Sequence, residues 1–358
     1  MESLTQSNTR VTPVSMPASL RPYWINLGLL LVAGVLSVAV GSVFIPPATL
    51  LHMLLAKLPG LAVATDWPET YAVILFQIRL PHTALITLTG AALASSGAAY
   101  QGLFRNPLAD PYLIGVASGA GLGAVVAMTV GWPSNLLGMY TVPASAFAGS
   151  VVTVALVYFL ARSGGTASTN ALILAGVAIS SFATSLTSFL MLRSNEELRR
   201  SLAWLLGGSL MSGWQPVLAV IPYLIIGVGI LLFAGHTLNV LQFGEEQAQQ
   251  LGVPVERMKI LLILAASLTT AAAVSFSGII GFVGLIVPHL VRLLWGSDYR
   301  RLIQLSLLGG SIVLLFADLL ARVVLSPQTL PVGIVTALAG APFFLWVLRR
   351  SRSMAPLK

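Results

Sequence analysis

The few ionisable residues that fall inside the long apolar stretches of this sequence are where chemistry could reside. Asp318 is the main acidic one, and Arg322 follows four residues later, on the same face if the segment is helical, so the two can pair with each other. Such a pair reads either as a structural ion pair near a helix end or as a contact for a partner. His289 follows Pro288 where a helix is expected to meet the cytoplasm, a place where a lone histidine is more often structural than a ligand. Cysteine is absent, which removes thiolate metal sites and disulfides. No nucleophile–base triad or metal-ligand cluster is visible, so no catalytic residue, resident metal or cofactor is expected. The lysines are Lys57, Lys259 and Lys358, and none follows a glycine, so the G-x-x-x-x-G-K-[ST] phosphate cradle is missing. Any work drawn from ATP must come from another subunit. Ion-coupled carriers place carboxylates or histidines at mid-membrane; their scarcity argues against a carrier working alone.

The elements that hold these residues are set by the solvent the chain must occupy. Hydrophobic residues make up 56% of the chain and charged residues 8%, with a mean hydropathy of +0.90. A soluble domain carries roughly 25% charged residues, so this chain has too little polar surface for water. Apolar runs of about 20 residues recur from end to end, the length that crosses a bilayer as a helix. They lack strict alternation, which favours helices over a barrel. The expected spans are 24–44, 71–104, 113–131, 141–161, 171–191, 215–234, 259–276, 279–295, 302–325 and 331–348. The second is long enough to require a tilt, a kink or an extension past the lipid. Residues 1–22 read as a flexible cytoplasmic tail, 23–350 as a single transmembrane domain, and 351–358 as a second short tail.

The net charge of +8 could suggest nucleic acid, but its placement argues for a membrane and against that partner. With ten spans and an inside N-terminus, roughly 13 basic residues fall in the inner connections and 6 in the outer ones. Both termini are therefore expected to be cytoplasmic, in the inner membrane. The stretch Arg193–Arg200, which also carries Glu196 and Glu197, reads as an amphipathic segment at the outer surface. An internal repeat is hinted at by Leu80-Pro81 before Gly90-Ala91 and Leu330-Pro331 before Gly340-Ala341, and by Ser96-Gly97 before Pro107 and Ser277-Gly278 before Pro288.

The longest polar insertion on the inner side lies at about 240–255. Glu245 to Leu251 reads as a short helix, with Gly244 at its start, acidic residues in its first turn and Gly252 at its end. Pro254 blocks simple continuation. Two short helices hinged at a glycine would make a rigid knob able to transmit motion; an ordinary amphipathic loop is the alternative.

That knob, Leu-Gln-Phe-Gly-Glu-Glu-Gln-Ala-Gln-Gln-Leu-Gly-Val from Leu241 to Val253, resembles the coupling helices of the FecCD permease family, the membrane subunits of ABC importers for iron siderophores, haem and vitamin B12. Ile78–Thr83, Gly97–Val116, Gly278–Arg292 and Leu330–Phe344 are also similar to that family, in the same order. The resemblance covers nearly the whole chain apart from the N-terminal tail. It implies an all-α, type II ABC importer permease fold, two copies of which form a homodimer around a pathway. Two ATP-binding subunits would dock below and a periplasmic or lipid-anchored substrate-binding protein above. Gly244, Glu245, Gln249, Leu251 and Gly252 match the part of the knob held by the ATPase. Arg79 and Arg322 match docking arginines for the binding protein. A second arginine usually follows the Leu-Pro; His82 stands there instead, which would make docking sensitive to pH.

The fifth span, with Ser180, Ser181, Thr184, Ser185 and Ser188, matches the helix that lines the pathway. Small hydroxyls there would give a wettable, non-adhesive wall, or simply allow close helix packing. Ser168, Thr169 and Asn170 match a cytoplasmic gate loop, although neighbouring Gly164 and Gly165 depart from the family pattern. The function this implies is ATP-driven import of a ferric siderophore or haem, with cobalamin as the alternative cargo. A stand-alone secondary transporter and a membrane enzyme or scaffold are the competing classes.

Overall fold

A computed structural model describes residues 20–41, 43–57, 67–130, 136–163, 166–192, 195–209 and 211–353. Most of the expected N-terminal tail, Gly164, Gly165, Arg193 and the last five residues lie outside the described residues. Ten apolar helices dominate: α1 (Arg21–Ala39), α2 (Glu69–Leu103), α3 (Val116–Val130), α4 (Thr141–Ala161), α5 (Thr169–Met191), α6 (Gln215–Phe233), α7 (Val255–Ser277), α8 (Val283–Trp295), α9 (Tyr299–Val323) and α10 (Val332–Ser353). Among the described residues the strands are confined to a two-stranded antiparallel ribbon, Arg162–Ser163 against Thr166–Ala167, just before α5. This is a multi-pass membrane protein.

The centre of the bundle is α7, whose most apolar window is 78% buried within the chain; that of α5 is 22% buried. Small residues let the central helices touch backbone to backbone. A Cβ on Gly90 of α2 would stand 2.3 Å from the Gly310 carbonyl oxygen of α9, and one on Gly310 would stand 2.2 Å from the Gly90 oxygen. With no hydrophobic effect between helices in lipid, such close packing is what holds them together.

The long second span is continuous over 35 residues, but Ile74–Arg79 is π-helical. The widened turn lies just before Pro81, which has no N–H to donate and whose ring crowds the carbonyl four residues back. Thirty-five residues cover roughly 50 Å, more than the ~30 Å hydrocarbon core, so the change of winding does not by itself bring the span down to membrane thickness.

Two expected spans, 113–131 and 279–295, are broken. A 3-10 turn at Pro111–Ile114 precedes α3. Before α8 the chain leaves helix at Gly278 (φ 74°) and re-enters at Phe282 (φ 70°). Both helices are shorter than the roughly 20 residues a bilayer requires. Irregular backbone at this depth must find partners inside the protein. Tyr112 supplies them: its hydroxyl donates to the Ile280 carbonyl at 2.8 Å and accepts the Ile280 N–H at 3.3 Å. Tyr112→Phe leaves both backbone groups unpaired and is expected to lower stability by about 1–3 kcal/mol, read as a fall in the thermal unfolding midpoint in detergent. An unchanged midpoint would mean that Ile280 is satisfied in another way.

The two motif pairs that hinted at an internal repeat differ in outcome. Leu80-Pro81 and Leu330-Pro331 both lie at the start of a regular helix, with Gly90 and Gly340 inside it. Gly97 lies within the last two turns of α2, whereas Gly278 ends α7; Pro107 lies in a connection, whereas Pro288 is inside α8.

Candidate functional site

The expected site residues form clusters at opposite ends of the bundle. The regular helix Leu80–Leu103 has 24 residues, or about 36 Å at 1.5 Å per residue. It carries His82 at one end and leads into Arg105 at the other, a separation on the scale of a membrane.

At the Arg105 end the polar insertion folds into two short helices, Gly235–Leu241 and Glu245–Gln250. Gly244, between them, has φ 115°, a conformation that side-chain-bearing residues adopt only with strain. The second helix closes on Gly252 with φ 85°: the Gly252 N–H donates to the Gln249 carbonyl at 2.9 Å and the Val253 N–H to the Ala248 carbonyl at 3.0 Å. This is a Schellman closure, which satisfies the helix's last carbonyls. The knob is tied to the bundle by polar bonds. Asn239 Nδ2 donates to Asp298 Oδ1 at 2.6 Å while its Oδ1 accepts the Tyr299 N–H at 2.8 Å, and Gln242 Nε2 donates to the Gly102 carbonyl at 3.0 Å. Buried Ala248 seats the second helix. Phe243 and Leu251 project from it, 71% and 68% exposed. A rigid polar knob that displays two bare apolar side chains is suited to enter a cleft of another protein.

At the other end Arg79 and Arg322 are not free cations. Arg79 is 7% exposed; its Nη1 donates to the carbonyls of Val38 at 2.6 Å and Ala39 at 3.0 Å, and its Nη2 to that of Val43. Arg322 Nη1 donates to the carbonyls of Ser37 at 3.0 Å and Val40 at 3.2 Å, and Nη2 to Ser37 Oγ at 2.9 Å. The two guanidiniums therefore cap the C-terminal end of α1, where the helix dipole is negative. Arg79, expected from sequence as a docking group, is buried against these three carbonyls. Arg322 Nε approaches Asp318 Oδ2 at 2.9 Å, as the four-residue spacing implied, without hydrogen-bond alignment. His82 Nε2 lies 2.8 Å from Asp318 Oδ1. The carboxylate thus joins α2 to α9, and His82, about a third exposed, is the member of this cluster that reaches the surface.

Along α5, Ser181, Thr184, Ser185 and Ser188 lie on its exposed side. Ser181, Ser185 and Ser188 each donate to the carbonyl four residues earlier, at 2.9, 2.9 and 3.0 Å. Ser180 turns inward and accepts from Ser118 Oγ at 3.1 Å. Ser180, Thr184 and Ser188 line a cavity of about 490 Å³ shared with α3 and the helix Asn195–Leu205. That helix lies where sequence placed an amphipathic segment. The expected gate residues do not form a loop. Ser168 is the N-cap of α5, its Oγ accepting the Ala171 N–H at 3.2 Å, and Thr169 and Asn170 are already in the first turn. The serine's affinity for a helix start explains the difference. Among the described residues no group of His, Asp and Glu is placed to hold a metal ion.

In the connection between α2 and α3, Asp110 accepts the Tyr112 N–H at 2.8 Å. Desolvation pushes its carboxyl up to about 6, with that amide pulling the other way.

The FecCD transport family matches residues 29–350. The chain is 48% identical over 282 residues to a cobalamin import system permease protein of Halobacterium salinarum, covering 79% of this chain and 75% of that protein. It is 40% identical over 283 residues to a hemin transport system permease protein of Yersinia pestis, covering 77% and 83%. Among solved structures, an inward-facing chain described as part of a metal-chelate type ABC transporter superposes with a TM-score of 0.77 at 30% identity, covering 92% of this chain and 98% of that one.

Proposed function

Because the chain belongs to the FecCD transport family, the permeases of ABC importers that act with an ATPase and a binding protein, we propose that it works as a homodimer importing a bulky metal chelate, a ferric siderophore or haem, across the cytoplasmic membrane. The observation that carries this reading is the glycine-delimited knob with Phe243 and Leu251 bare at its tip. ATP closure of two motor subunits would move Gly244, Glu245, Gln249, Leu251 and Gly252 as a unit. The paired permeases would then exchange inward- and outward-open states, the ATP cycle supplying the difference in free energy between them.

The charge distribution supports a knob facing the cytoplasm with both termini, since Arg105, Arg257, Arg292 and Arg300 share its end of the bundle. The opposite rim would receive the loaded binding protein. There His82 is the exposed contact, and Arg79 and Arg322 hold the rim in shape around it. The open side of α5, with its hydroxyl stripe, would face the second copy and the pathway between them; Ser168, Thr169 and Asn170 would set the inner gate by fixing where α5 begins. Cobalamin is the second cargo reading, favoured by the 48% identical relative.

The test is uptake by this chain reconstituted with its cognate ATPase and binding protein, offered ferric siderophore, haem and cobalamin. ATP-dependent uptake of an iron chelate is expected. Uptake of cobalamin alone would replace the cargo, and uptake with no ATPase present would replace the mechanism by that of a secondary transporter.

A further inference from the structure

Lys259 lies in the second turn of α7 and is 5% exposed. Its ammonium has three protons to donate, and three acceptors from three elements surround it. Glu245 Oε2, on the first residue of the second knob helix, is 2.6 Å away. Glu256 Oε1, one turn earlier on α7, is at 3.1 Å. The third acceptor is the Ala167 carbonyl at 3.3 Å, at the end of the ribbon and one residue before the N-cap of α5.

The geometry points to Lys259 as the relay that passes motion of the knob to the pathway helix. This rests on the reading of the knob as the ATPase contact and adds the route by which it acts. A buried ammonium stripped of its partners is costly, so the three groups tend to travel together. When the knob is displaced, Glu245 draws the ammonium, and the ammonium draws the carbonyl that sets the start of α5. A chain of packed or hydrogen-bonded groups transmits only if it joins elements with two arrangements; on the proposed alternation α5 is such an element, and little of it is packed within its own chain. Lys259 would be a positioning residue, touching neither cargo nor nucleotide. Bracing of a fixed cytoplasmic end is the competing role, and it predicts loss of stability without loss of coupling.

Because the sequence contains no cysteine, single spectroscopic labels can be placed at Gln250→Cys on the knob and Leu174→Cys in the second turn of α5, both exposed. The full chain is assembled with its cognate ATPase and binding protein in nanodiscs and cycled with ATP. For Lys259→Met the nucleotide-dependent signal at position 250 is expected to persist while that at 174 falls to half or less. Cargo moved per ATP hydrolysed should fall several-fold, and Lys259→Arg should restore most of it. If Lys259→Met does not assemble, Glu245→Gln removes one contact from a more accessible side chain and is expected to show the same split. Variants that keep both signals and the wild-type ratio of cargo to ATP overturn the relay. A complex with Lys259 intact and no nucleotide response at 250 overturns the coupling reading itself, and the relay with it.

Discussion

Gly252→Phe is expected to cut ATP-driven uptake by about tenfold or more, a loss of ~1.4 kcal/mol or greater in coupling, while the protein inserts in normal amounts. Two features separate this from a folding defect. A Cβ at Gly252 would meet no atom within 4 Å, so a side chain there leaves the backbone into open space. The backbone there has φ 85°, which costs a side-chain-bearing residue roughly 1–2 kcal/mol, a local charge on a helix of six residues. On the proposed reading, a ring added at this end of the knob has to be accepted by the ATPase surface. Gly252→Asn, which tolerates the same backbone conformation, isolates the strain and should be mild. Uptake and ATP hydrolysis measured together on both variants give the check; normal uptake by the phenylalanine variant would remove Gly252 from the contact.

Asp318→Ala is expected to be among the most destabilising changes at the opposite end, by up to about 3–5 kcal/mol, because it strips a largely covered cation of its counter-charge. Asp318 is 4% exposed and is the acidic group between His82 on α2 and Arg322 on α9. Without it Arg322 keeps its bonds to Ser37 and Val40 but loses its counter-charge. The double variant Asp318→Leu, Arg322→Leu removes charge and counter-charge together and should be less destabilised than Asp318→Ala. His82→Ala should cost less than either, since that ring is part-exposed. Thermal unfolding midpoints in one detergent order the three. A single variant as stable as the double would show that the carboxylate does not compensate the arginine.

The ten helices could be read in advance because each is an apolar run bounded by charge, glycine or proline, and that signal is local. The knob was legible for the same reason: Gly244, Gly252 and Pro254 punctuate a short polar helix within a dozen residues. What escaped is long-range. The broken entry to α8 is made possible by Tyr112, 168 residues away from Ile280, and no pattern near Gly278 names that partner. His82 meets Asp318 across 236 residues, so sequence paired Asp318 with Arg322 alone. Arg79 looked like a surface cation because its acceptors are backbone carbonyls, which every residue possesses and which leave no mark in composition. Lys259 figured in the sequence only as a lysine without a preceding glycine; its meeting with Glu245 and Ala167 depends on how two connections fold onto the foot of α7.

The hydroxyls of Ser181, Ser185 and Ser188 point their protons back into their own helix. What they offer to the space beyond α5 is oxygen lone pairs, so that side of the helix resembles a polyether more than an alcohol. It can keep company with water and with a large solute, but it has few donors with which to recognise one molecule over another. On the proposed arrangement, discrimination among cargoes would fall to the protein that delivers them. A permease of this build could be redirected to a different chelate by exchanging its delivery partner, with α5 left untouched.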